Sequence, residues 1–205
     1  MTTNSFSNVL CNLETPCNKN VEPCDKKNIE NTLNNEIKLS KTYIDSLLVA
    51  TYVVKKRIGI QQKYNKIGEK VFELCLELVS KHETFFNNLT NELNISRDNI
   101  KEVIKIVLRN VLKDSINFGR ITSILAVCMI VSEHCYKNES MSDKVCLIVE
   151  TTAEIIYENR KWFEANGAWD GLMKYFFNPT DYFWKGFVVT TVGLGAMAGL
   201  LYAKS

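Results

Sequence analysis

The stretch from Ile116 to Cys135 carries Arg120 near its start and no further charge until Glu133. A helix apolar on nearly all sides has to be enclosed by other elements or by lipid. It falls short of a comfortable bilayer span, which takes about 20 apolar residues, so we read it as the central, buried helix of a bundle. Its entrance breaks the pattern, because Asn117, Gly119 and Arg120 stand together there. Glycine lets a second backbone approach closely, and a guanidinium can hold a carboxylate with two hydrogen bonds. A partner is therefore expected at this end of the helix.

The rest of the chain supports an all-helical domain around that element. Of 205 residues 46% are hydrophobic, enough for one real core. Between Pro23 and Pro179 no proline interrupts a helix. A net charge of +2 implies no polyanionic partner, so nucleic acid is not expected. Seven cysteines, four of them (Cys75, Cys128, Cys135 and Cys146) in apolar helical patterns, argue against a secreted disulfide framework. Cys11, Cys17 and Cys24 lack the close pairing zinc sites use. His82 and His134 have no ligand-spaced partners, and no phosphate-binding glycine loop occurs. We expect no catalysis, no metal and no cofactor. Sequons begin at Asn88, Asn94 and Asn138, but nothing near Met1 resembles a signal peptide.

Three regions follow from composition. Residues 1–39 are rich in Asn, Lys, Glu, Ser and Thr and are expected to be mostly disordered. Residues 40–178 form the helical domain. A first helix presents Ile44, Leu47, Leu48, Thr51 and Val54 on one face and ends near Gly59. A second runs from about Tyr64 to Asn87 on Ile67, Val71, Leu74 and Leu78. A third, capped by Ser96, carries Ile100, Val103, Ile104, Val107, Leu108, Val111 and Leu112. The central helix follows. After it, Ser140 can cap a helix bearing Val145, Ile148, Val149, Thr152, Ile155 and Ile156, and the two long helices form an antiparallel hairpin. Two short helices flank a turn at Asn166-Gly167, the second capped near Asp170.

Residues 183–203 have the composition of a C-terminal membrane anchor. Gly186 to Ala203 is uncharged, flanked by Lys185 and Lys204, with Trp184 and Tyr202 at its edges. Such an anchor inserts only after synthesis is complete, which leaves the upstream chain in the cytosol. The alternative, a buried soluble helix, is disfavoured by Gly186, Gly193, Gly195 and Gly199, each costing about 1 kcal/mol in a helix.

Asn117-Phe118-Gly119-Arg120 before an apolar helix, then Trp162 and Asn166-Gly167-Ala168-Trp169-Asp170-Gly171, then an anchor, resembles the B-cell lymphoma-2 (Bcl-2) family of apoptosis regulators. The two segments look like its first and second homology regions, with Phe118 where tryptophan is usual. Lys81-His82-Glu83-Thr84-Phe85-Phe86 is similar to the myeloid-cell-leukaemia branch. Val71 to Leu76 sits where the third region belongs, but Cys75-Leu76 replaces the usual Gly-Asp. This helix is expected to be a poor ligand for another member's groove.

The resemblance implies a helical bundle whose hydrophobic groove binds the amphipathic death-motif (BH3) helices of pro-apoptotic proteins. Such a helix lays apolar residues at helical spacing into a trough. The expected trough has Phe86 and Leu89 on one wall, Val107, Val111 and Leu112 on the other, and Ser123, Ile124 and Val127 at the floor. Arg120 would bind the ligand's aspartate, with Asn117 as an added donor and Gly119 giving clearance. An internal ion pair of Arg120 with Asp114, Glu133 or Asp170 is the competing reading. The implied function is a pro-survival guardian, anchored in the mitochondrial outer membrane or endoplasmic reticulum, that also sequesters executioners of the family. A pore-forming executioner and a tail-anchored adaptor without groove binding are the alternatives.

Overall fold

The computed structural model describes residues 40–177. The expected N-terminal segment, its cysteines and the expected anchor lie outside the described residues. Among those described, the chain forms eight α-helices, one short 3-10 helix and no strand.

The central helix α5, Phe118–Lys137, is buried along nearly its whole length and is packed by its neighbours α1 (Lys41–Arg57), α2 (Lys66–Lys81), α4 (Ile100–Leu112) and α6 (Val145–Glu158). Its most apolar 18-residue window is 78% buried, so protein rather than lipid encloses it. The expected stripe of α6 is fully enclosed at Val145, Ile148, Val149, Thr152, Ile155 and Ile156. A 3-10 turn, Ser142–Lys144, comes before α6, where the sequence placed a cap at Ser140. Arg97 fixes this hairpin connection from outside, donating to both carboxylate oxygens of Asp143 at 2.6 and 2.7 Å and to the Ser140 carbonyl at 2.5 Å.

Three local expectations need correction. In α1 Thr51 and Val54 are buried as expected, but the buried face runs on through Thr42, Tyr43, Ser46, Val49, Ala50 and Val53, whereas Ile44 and Leu48 are about two-fifths exposed, at 42% and 41%. Contact with α2, α5 and α6 on several sides favours this small-residue face, and the buried Ser46 hydroxyl is satisfied by the Thr42 carbonyl at 2.6 Å. The helix expected from Tyr64 to Asn87 is two helices, α2 and α3 (Glu83–Glu92), broken at His82, whose φ of −125° and ψ of 40° leave the helical range. And α4 begins at Ile100, one turn after Ser96. The Ser96 N–H donates to Asn99 Oδ1 at 2.7 Å and its carbonyl accepts from Ile100 at 3.1 Å. The α4 stripe is buried as its spacing predicts, except that Val103 is only half-buried.

Glycines set two close approaches. A Cβ on Gly68 would stand 2.5 Å from the Tyr52 ring, so its absence lets α2 close on α1, where the Tyr52 hydroxyl donates to Glu69 at 2.7 Å. The turn between α7 (Arg160–Ala165) and α8 (Ala168–Phe177) is made by Gly167 at φ +87°. Asp170, expected as the cap, lies within the first turn of α8.

Candidate functional site

The entrance of α5 is organised by Asn117. Its backbone is extended, and its side-chain Oδ1 accepts the Arg120 N–H at 2.9 Å, satisfying one of the donors left open at a helix start. Because the oxygen is used in capping, the amide nitrogen is the part of the side chain left to donate. Gly119 is half-buried, and its carbonyl accepts the Ser123 hydroxyl at 3.0 Å.

Phe118 ties the two motif segments together. Its ring lies 5.2 Å from Trp162, 6.2 Å from Phe163 and 5.6 Å from Tyr175, and Phe163 meets Trp169 edge-on at 5.1 Å. Aromatic pairs of this kind contribute about 0.5–1.5 kcal/mol beyond the area they bury. Trp162 and Trp169 thus serve as packing anchors for α7 and α8. The Trp169 indole N–H is buried without an acceptor among the described residues.

Arg120 is the unusual group. Its side chain is only 6% exposed, and Nη1 donates to the Ser115 carbonyl at 2.8 Å. Nη2 stands 3.7 Å from Asp114, a long contact with a carboxylate that is 59% exposed. Nε is buried and has no acceptor. Buried donors are nearly always paired, so this guanidinium is under-satisfied. Of the three internal partners considered from sequence, Asp114 is the one in reach. Glu133 is engaged by Arg57 at 2.7 Å and Lys137 at 2.8 Å.

The apolar residues expected to line a trough converge, but as core. Phe86, Leu89, Val107, Val111, Leu112, Ser123, Ile124 and Val127 are all buried. Of the eleven candidates only Asn117 and Gly119 are even half-exposed. Half-buried Val79, Phe85, Leu93 and Val103 rim this core on α2, α3 and α4. Sequence reasoning missed them as rim residues, because periodicity marks apolar faces and not their edges. A cavity of about 590 Å³ lies at the α4–α5 connection, lined by Arg109, Leu112, Ser115, Ile116, Glu158 and Trp162 among others. Arg109 and Glu158 form a two-bond ion pair at 2.6 and 3.0 Å on its wall.

The helix that would carry a ligand motif is turned inward. Val71, Leu74, Cys75 and Leu78 of α2 are buried, and the Cys75 thiol lies 3.8 Å from the Thr122 carbonyl of α5. Burial pushes that thiol's pKa far up. Among the described residues no group of His, Cys, Asp and Glu could hold a metal ion.

The described residues thus form a bundle wrapped on a buried helical hairpin, with an arginine seated at the start of its inner helix. Residues 71–169 match the model of the apoptosis regulator proteins, Bcl-2 family. The zebra-fish pro-survival protein NRZ, solved as a complex with Bad BH3, superposes with a TM-score of 0.61 at 25% identity, covering 65% of this chain and 93% of that one. Trichoplax adhaerens trBcl-2L2 bound to trBak BH3 gives 0.61 at 21% identity, over 66% and 99% of the two chains. Apoptosis regulator R11 of Xenopus laevis is 23% identical over 116 residues, 52% of this chain. The chain spans about half the length of that relative, 54%. The matched stretch and the shared fold make this chain similar to the Bcl-2 family proteins.

Proposed function

We propose that the chain is a pro-survival member that binds BH3 helices of pro-apoptotic proteins and restrains executioners of its family. The observation that carries this is Arg120: a cation buried beside the apolar core of α3, α4 and α5, holding one short hydrogen bond, one long ion pair and an unsatisfied Nε. Such a group is poised for an incoming carboxylate, the aspartate of a BH3 helix. The relatives solved with BH3 peptides support the same reading.

Because the trough residues are buried, a ligand must first part the helices. α3 is the element to move. It has ten residues, buries only Phe86 and Leu89, and has no side-chain cap at its start. Elements with few buried contacts open at the lowest free energy. Its displacement would uncover Phe86 and Leu89 together with the floor of Ser123, Ile124 and Val127.

A guardian rather than an executioner is favoured by α2, where Cys75-Leu76 stands in place of Gly-Asp and Cys75 is packed on α5. The finer placement in this proposal, the myeloid-cell-leukaemia branch, is supported by the similarity of residues 81–86. The uncharged segment from Gly186 would anchor the chain in the mitochondrial outer membrane or endoplasmic reticulum, and ending the chain after Tyr182 should release it. The deciding test adds the full chain to dye-loaded liposomes with and without an executioner and a panel of BH3 peptides. Tight peptide binding with suppressed release fits the guardian, release by the chain alone fits an executioner, and absence of saturable binding fits an adaptor.

A further inference from the structure

Asp114 is the carboxylate within reach of Arg120 among the described residues. It follows the last turn of α4, its side chain is 59% exposed, and it reaches the outer nitrogen of a guanidinium whose own exposure is 6%. The adjacent Ser115 carbonyl takes the other nitrogen, so one short loop holds Arg120 from two sides. At 3.7 Å the Asp114 contact is too long for a good hydrogen bond. It lowers the cost of the buried charge without fixing it.

Resting on the reading of Arg120 as the ligand's anchor, we propose that Asp114 is a built-in competitor for that anchor, an internal carboxylate that the ligand's aspartate displaces. Two consequences follow. The chain's preference for a peptide with aspartate over one with asparagine is weaker than Arg120 alone would give, because the unliganded cation already has a partial partner. And neutralising Asp114 sharpens that preference, since the free cation is then left without a counter-charge.

The test measures affinities of the full chain for a BH3 peptide and for its Asp→Asn twin, in the wild type and in Asp114→Asn. The aspartate-to-asparagine affinity ratio should rise about three- to fivefold in Asp114→Asn, the scale of an exposed ion pair. Asp114→Glu should restore the wild-type ratio. Glu102→Gln, which removes an exposed acid elsewhere on α4, should leave it unchanged and so separates the contact from net charge. A ratio unchanged or lowered in Asp114→Asn, with both peptides binding, overturns the proposal. A wild-type ratio near one would instead remove the Arg120 reading beneath it. Thermal melting of each variant shows that it is folded.

Discussion

Gly171 lies so close to the Asn166 carbonyl that a Cβ at this position would stand 1.9 Å from that oxygen and 3.0 Å from the Phe118 ring. The Gly171 N–H is meanwhile bonded to the Gly167 carbonyl at 2.8 Å. One missing methyl group thus lets the α7–α8 turn close and seats α8 against the start of α5. Gly171→Ala must move backbone, and we expect a loss of about 1–3 kcal/mol, the range for overpacking a tight site. Denaturant melts should show the loss, together with weaker BH3 binding as Phe118 shifts. Wild-type stability would contradict the contact.

Acid should loosen the bundle at identifiable pairs. Hydrogen bonds from Lys56 and Tyr52 hold the Glu69 carboxyl below the usual glutamate range. Arg97 does the same for Asp143. At Glu133 burial pushes the pKa up, but Lys137 and Arg57 outweigh it and the net direction is down. A folded-state pKa below the unfolded one gives stability that is complete above the ordinary carboxylate range and lost as pH falls through the folded values. The Tm should therefore hold from neutral pH to about 4.5 and fall below it. Glu69→Gln should make that fall shallower, and an identical acid slope in wild type and variant would remove Glu69 from the account.

Of the helices that enclose the expected trough, α3 should be the first to open. Amide exchange on the free protein is expected to be faster in Glu83–Glu92 than in α2 or α4 and slowest in α5, with α3 protected on addition of a BH3 peptide. Exchange in α3 as slow as in α5 would leave the buried trough without a route for a ligand.

How far the sequence reached depended on what each pattern encodes. The central hairpin was legible because Ile121 to Met129 and the stripe of α6 can be satisfied only by enclosure. The entrance of α5 was legible too, since Asn117 is a capping residue and Gly119-Arg120 has no place in a plain core. The break at His82 was not, because no glycine or proline marks it and the apolar rhythm runs on through Phe85 and Phe86. The face of α1 was legible at Thr51 and Val54 but not at Ile44 and Leu48, since a helix contacted on several sides buries small residues such as Ser46 and Ala50 and can leave larger ones outside. The depth of Arg120 was also illegible, because no spacing says how closely the neighbouring loop will cover a side chain. That depth decides the choice of probe: Arg120→Glu would bury an anion beside Asp114 and lower the melting temperature, so a neutral substitution is the cleaner one.

The central claim is therefore best tested by a double-mutant cycle between Arg120→Gln and the Asp→Asn change in a BH3 peptide, read by calorimetry on folded proteins. The account predicts a coupling of at least about 1.5 kcal/mol, as for close charge pairs across an interface. Binding that is insensitive to Arg120, or two losses that simply add, would contradict it.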